Sequence, residues 1–278
     1  MNELFVMNLK AKHRSEGTIR EYAKAIDNCL GYINKPETEI KPIDLELWQS
    51  SMSNLSSASV AQRTSAVREY FKFLYRNEFI SRNPAEMLEA PQIKNREQSA
   101  LNGEQVRAMV NAATNERNKA IIMMLAQTGL RIHELANITL EQYESRSNNV
   151  LVIRGKGDKD RLVGLADETI KLIDSYIANE RKDGCEYLFV GNRGNKMDGK
   201  NTSAMLKVCA RKAGIENWEE LHISNHTMRR TFATMMSEAD VPIEVISKAM
   251  GHSGIQITSR YVKRTEQRAV NAMSIVNF

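Results

Sequence analysis

Cysteine is scarce in this 278-residue sequence. Cys29, Cys185 and Cys209 lie far apart, are odd in number and keep no metal-ligand spacing. A disulfide framework and a zinc-finger reading are therefore excluded, and reduced thiols in a cytoplasmic protein are expected. Long apolar runs are absent too. No segment of eighteen residues is apolar throughout, so no membrane-spanning helix is expected. The opening stretch MNELFVMNLKAKHRSEG lacks the apolar core of a signal peptide. No acidic or His/Cys cluster is placed to hold a metal, so neither a metal nor another cofactor is expected. Internal repeats and low-complexity tracts are likewise missing.

What remains is an ordinary globular composition, 42% hydrophobic and 26% charged, long enough for two domains or one large one. The net charge is +5. Its distribution is uneven: residues 1–90 hold 12 basic against 12 acidic residues, and the rest holds 27 against 22. The whole excess thus sits in the later two-thirds, a modest lean toward an anionic partner.

Apolar positions Ile19, Tyr22, Ala23, Ile26, Cys29, Leu30 and Ile33 recur at helical steps over Ser15–Ile33. A short helix is expected over Ile43–Met52. A stronger one carries the stripe Val60, Val67, Tyr70, Phe71 and Leu74, with Arg63, Arg68, Lys72 and Arg76 off it. Asn83-Pro84 should stop the helical pattern, and the polar, aperiodic Pro91–Ser99 reads as a connection. We therefore expect a helical domain over residues 1–85, a linker over 86–99 and a second domain over 100–278.

In that second domain Asn102 and Gln105 have capping-box spacing. A helix over Asn115–Gln127 stops at Thr128-Gly129, and Arg131 opens the next helical segment. Val150–Ile153 and Leu162–Leu165 read as strands around a basic turn from Gly155 to Asp160. A helix over 167–181, a short strand over 188–190 and helices near 199–213, 226–238 and 243–250 complete the pattern. The fold class is mainly α with a small antiparallel β-sheet.

Several residues of this domain suit phosphodiester chemistry. Transfer through an enzyme nucleophile needs the nucleophile, cations for the non-bridging oxygens, a base and an acid. Arginine's planar fork donates two parallel bonds to phosphate and keeps its charge. Tyrosine can form a phosphotyrosine that conserves the bond for religation. A lysine on a turn, with a free pKa of about 10.4, is a charged proton donor. His226 and Arg229, three apart near a helix start, share one face. Taken singly, Arg131 reads as a helix-surface cation, His252 as a helix-terminal histidine and Tyr261 as a half-buried core residue. Their order and contexts are what carry information.

The segments TGLRIHEL, VIRGKGDKDRLV, SNHTMRRTFATMM and AMGHSGIQITSRYV resemble the signature blocks of the tyrosine recombinases, or phage-type integrases. SAVREYFKFLYRNEFISRNPAE resembles the core-binding domain of Xer-type members, so the likeness spans nearly the whole chain. It implies a DNA-binding helical domain before a catalytic domain. Arg131 and Arg229 would clamp the phosphate, Lys156 would be the general acid and His226 the proton acceptor. His252 would add a phosphate donor, Tyr261 would be the nucleophile, and Glu134 would support the site without reacting. Lys159 competes with Lys156 for its role, and Tyr187 is the next candidate nucleophile. Three positions depart from the family pattern: Met250 stands for leucine, His133 for a small residue and Arg230 for a frequent histidine.

The implied function is site-specific recombination through a 3′-phosphotyrosine and a Holliday junction, serving integration, excision or dimer resolution. The implied partners are duplex DNA with paired half-sites and three further protomers, identical or from a related recombinase. The tail from about residue 265 would dock on a neighbour. The chain would act in the prokaryotic cytoplasm or nucleoid, with no membrane partner. With core-binding helices near the first residue, no additional arm-site domain is expected. A type IB topoisomerase-like enzyme and a catalytically inactive DNA-binding regulator are the alternatives.

Overall fold

The structure is a computed structural model and describes residues 2–92, 100–154 and 160–251, the side chain of Arg154 excepted. The chain divides into two compact units, Met1–Arg96 and Glu97–Phe278.

The first unit contains α1 (Asn2–Ala11), α2 (Glu16–Ile33), α3 (Pro42–Ser50) and α4 (Ser57–Arg76). Ser15 starts α2 by accepting from the Thr18 N–H at 3.2 Å, and Ser56 does the same for α4 from Ser59. The stripe on α4 is buried as its spacing requires, and Arg68, Lys72 and Arg76 are exposed. Phe5, Ile26, Leu45 and Trp48 join it in one core, which also takes in Ala85 and Leu88. The polar tips of its large aromatics are satisfied: Trp48 donates to Asn28 at 3.1 Å and Tyr70 to Glu37 at 2.8 Å.

Two features here depart from the sequence reading. α1 has only two buried side chains, Phe5 and Leu9, too few for a periodic signal. α4 ends at Arg76, well before Asn83-Pro84. Glu78 adopts φ +60°, Phe79 N–H bonds the Leu74 carbonyl and Glu78 N–H that of Tyr75. That pattern closes a helix in the left-handed manner usually left to glycine, which is why the sequence concealed it.

The second unit contains α5 (Gly103–Ala112), α6 (Glu116–Thr128), α7 (Ile132–Asn137) and α8 (Leu140–Glu144). The antiparallel pair β1 (Val150–Arg154) and β2 (Asp160–Gly164) follows, then α9 (Asp167–Asn179), α10 (Gly199–Lys212), α11 (Asn225–Glu238) and α12 (Ile243–Met250). The expected capping box forms: Asn102 accepts from Gln105 N–H at 2.8 Å, and Gln105 accepts from Asn102 N–H at 3.0 Å. The strands pair from Val150↔Gly164 to Arg154↔Asp160, with Leu151, Ile153 and Val163 buried and Val152 and Leu162 exposed. Helix α6 lies at the centre, packed by α5, α9 and α11.

The strand expected at 188–190 does not form. Leu188, Phe189 and Val190 are all buried, but their backbone makes scattered bonds, such as Leu188 N–H to the Ile138 carbonyl, instead of a ladder. A short apolar run reports burial, and burial here comes from packing. Among the described residues no helix is long and apolar enough to cross a membrane.

Candidate active site

The termini of four helices converge in the second unit. α6 ends at Gly129, whose φ of +59° turns the chain sharply toward Arg131. Arg131 then occupies the N-cap of α7, a position where serine, threonine, aspartate or asparagine is preferred. An arginine cannot accept the helix's first N–H. Only the other half of a capping box operates: Glu134 reaches back and accepts from the Arg131 N–H at 2.7 Å.

Glu134 is 3% exposed and forms the hub of the arrangement. Arg131 Nη1 donates to its Oε1 at 3.1 Å. Arg161, on β2, donates to both oxygens at 2.8 Å in a parallel fork. Burial alone would raise the Glu134 pKa. The Arg161 fork and the Arg131 N–H outweigh it and lower the value from 4.5 to about 2, so the carboxylate is ionised at neutral pH.

Arg229 lies on α11, whose start is fixed by Ser224 and Thr227. It is 4% exposed, and its guanidinium donates to the carbonyls of Gly129 and Met250. Arg131 donates to the adjacent carbonyl, Gly251, at 3.1 Å. The two arginines, 98 residues apart in sequence, thus meet at the C-terminal end of α12. Carbonyl acceptors orient a guanidinium without cancelling its charge.

His226 stands in the first turn of α11, open to solvent on one side. Its pKa is lowered from the ordinary 6.5, first by desolvation and then by the positive charges of Arg230, Arg229 and Arg131. The imidazole is therefore neutral at pH 7 and able to accept a proton.

The structure accordingly brings together Arg131, Glu134, Arg229 and His226. Lys156 and Lys159, which fall between β1 and β2 in the sequence, lie outside the described residues, as do His252 and Tyr261. Tyr187, the alternative nucleophile, has its pKa raised by the hydrogen bond and charge of Glu186, and its ring lies 4.7 Å from Lys196 Nζ. The hydrogen bond and charge of Glu186 disfavour the phenolate that attack on phosphorus needs.

Arg161 escaped the sequence reading, which began the second strand at Leu162. The signal was present: in a strand Arg161, Val163 and Leu165 share one face, and the latter two are buried. A cation aligned with buried apolar residues calls for an anionic partner, and Glu134 is that partner.

Residues 99–268 match the Phage integrase family, and residues 3–78 match the phage integrase N-terminal SAM-like domain. The tyrosine recombinase XerA of Pyrococcus horikoshii is 31% identical over 276 residues, covering 98% of this chain and 91% of that protein. XerD of Yersinia pestis is 28% identical over 272 residues, covering 92% and 90%. A crystal structure of XerA recombinase superposes with a TM-score of 0.55 at 26% identity, covering 100% of this chain and 98% of that one. A post-cleavage complex of XerH with a palindromic difH substrate gives 0.76 at 21% identity, covering 96% and 82%.

The chain belongs to the phage integrase family. Within it, the chain is a tyrosine site-specific recombinase, and the likeness favours recombination over both topoisomerase-like relaxation and an inactive regulator.

Proposed function

We propose that the chain cleaves and rejoins DNA through a 3′-phosphotyrosine at Tyr261, with the groups around Glu134 and α12 as its phosphate site. The observation that carries this reading is the meeting of Arg131 and Arg229 on the adjacent carbonyls of Met250 and Gly251. That places a doubly cationic corner immediately before His252, beside a histidine held neutral.

In the proposed step the Tyr261 oxygen attacks phosphorus and its proton passes to His226. The bond to the 5′-oxygen breaks as Lys156 protonates that oxygen, leaving a free 5′-hydroxyl. Arg131, Arg229 and His252 donate to the non-bridging oxygens, where charge accumulates in the transition state. Attack of a 5′-hydroxyl from the partner duplex reverses the chemistry, joins the strands and regenerates tyrosine. A second round resolves the Holliday junction. No residue needs a metal for any of these transfers.

The first unit would bind the duplex as a core-binding domain over residues 1–85, with 86–99 as the linker and 100–278 as the catalytic domain. Duplex DNA is the partner that both domain matches support. Four protomers on two paired half-sites, acting in the cytoplasm or nucleoid, complete the reading. Its test is to incubate the chain with nicked duplexes tiled across the neighbouring genomic locus and to sequence DNA trapped covalently on the protein. Adduct is expected from the parent chain and none from Tyr261→Phe, which should still bind the same duplex. Adduct persisting in that variant on a denaturing gel would place the nucleophile elsewhere.

A further inference from the structure

Arg161 sits outside every role assigned so far, yet it makes the shortest and best matched ion pair of the site. Both of its terminal nitrogens donate to Glu134, one to each oxygen, at 2.8 Å. Among the described residues its Nε has no acceptor, so its recorded bonds all go to that carboxylate. The side chain is 11% exposed, and Glu134 is buried more deeply still. Gly251 closes over it: a Cβ there would lie 3.0 Å from Arg161 Nη1.

Charge explains why a second arginine is needed. Glu134 also binds Arg131, through Nη1 and the backbone N–H. Were these two alone, a buried carboxylate would sit directly against the guanidinium that must meet a phosphate. The pair would sum to zero, and an incoming anion would face a neutralised cation next to a negative charge. With Arg161 added, the trio carries one net positive charge. Carboxylate lone pairs are then shared between two cations, and Arg131, at 33% against 11% for Arg161, is the more exposed of them.

We propose that Arg161 is a positioning residue for strand cleavage: it neutralises Glu134, so that Glu134 can orient Arg131 without consuming its charge. This rests on the reading of Arg131 as a phosphate-binding residue. It assigns to Arg161 a function in the rate of cleavage, through the charge of another side chain, which a purely structural ion pair would not have.

The test is a double-variant cycle on the full-length chain, using the nicked duplex recovered by adduct sequencing under single-turnover conditions. Arg161→Ala should slow adduct formation by roughly tenfold or more, because it leaves Arg131 paired with an uncompensated carboxylate. Half-site affinity should stay within about threefold, since other phosphate contacts dominate binding. Adding Glu134→Gln to Arg161→Ala should then restore speed, by roughly fivefold over Arg161→Ala alone, although Glu134→Gln by itself slows the parent. Arg161→Lys keeps the charge without the fork and should fall between the parent and Arg161→Ala. In an Arg131→Ala background the restoring effect of Glu134→Gln should vanish.

Additive losses in the double variant would overturn the proposal, leaving Arg161 as a structural ion pair. Equal rates for folded Arg161→Lys and Arg161→Ala would overturn it too. Restoration that persists without Arg131 would show that Arg161 acts through some other group. A parent chain that forms no adduct at all would instead overturn the underlying reading, and the proposal with it.

Discussion

Gly129→Ala separates two costs that one glycine conceals. The position has φ +59°, and an added Cβ would lie 2.4 Å from Phe232 Cδ1 and 2.9 Å from Cγ. Left-handed backbone costs an L-residue about 1–2 kcal/mol. The collision adds more, because Phe232 is packed with Ala233, Ile246 and Met250 and cannot swing aside freely. Overpacking of this kind costs about 1–3 kcal/mol. Gly214→Ala provides the control: its φ is +69° and nothing lies within 4 Å of its Cβ, so it carries the backbone share alone. We expect Gly129→Ala to lose about 3 kcal/mol and Gly214→Ala about 1 kcal/mol. Urea unfolding followed by Trp218 fluorescence, with Trp48→Phe as a common background, reads the second unit selectively, since Trp218 packs on that core. Cleavage should fall in parallel for Gly129→Ala, because its carbonyl accepts from Arg229. If the two variants differ by less than about 0.5 kcal/mol, the helix junction is not held against Phe232, and the argument that it aims Arg131 fails.

Arg131→Ala and Arg229→Ala should each slow single-turnover cleavage about a hundredfold, one transition-state donor being worth roughly 2.7–4 kcal/mol, and near-parent rates would remove that arginine from the clamp. A 5′-bridging phosphorothioate leaves without protonation, so it should rescue Lys156→Ala but neither arginine variant; rescue of Lys159→Ala instead would shift the acid to Lys159. Glu134 has a folded pKa of about 2 against an ordinary 4.5. Its contribution, about 3 kcal/mol, is therefore fully present above pH 4.5 and is lost as pH falls through 2. Glu134→Gln should be the less acid-sensitive protein in denaturant titrations between pH 5 and 2, and parallel curves would refute the ion-pair account. Deleting residues 267–278, whose sequence includes Ala269, Val270, Met273, Ile275, Val276 and Phe278, should leave a folded protein that binds a half-site but does not assemble the four-protomer complex. Normal recombination by that protein would rule out a docking role for the tail.

Much of this molecule could be read from the chain because local signals agreed with the global packing. Ser15, Ser56, Asn102 and Asn115 each begin a helix with a side-chain bond to the third following N–H; the sequence reading named the cap at Asn102, and the other three are residue types that favour the same position. Thr128-Gly129 stopped α6 where a left-handed glycine was required. Reading failed where the deciding interaction was remote or unusual in type. Glu78 took the left-handed position that glycine normally announces. The 188–190 run was buried by neighbours the sequence could not name. Arg161 was passed over because the second strand was begun one residue past it, at Leu162, and its partner, Glu134, lies in a different element. Arg131, Arg229, His226 and Glu134 were chosen by likeness and order; their convergence rests on helix directions that no window of sequence contains.

That convergence has a physical logic. A helix C-terminus leaves carbonyls without intrahelical partners and carries the negative end of the helix dipole. α12 ends at Gly251 with φ +63°, and the carbonyls of Met250 and Gly251 are met by Arg229 and Arg131. The same bonds that finish the helix therefore orient both guanidiniums. Gly129 repeats the device at the end of α6, where its carbonyl takes another Arg229 N–H. Carbonyls give direction to a cation while leaving it charged, which suits a site that must attract a phosphate. Among the described residues of the arrangement the one full negative charge is Glu134, and it is the group that receives a second cation, Arg161, from β2. A carboxylate there without Arg161 would orient Arg131 at the expense of its charge; with Arg161, orientation and charge are both retained.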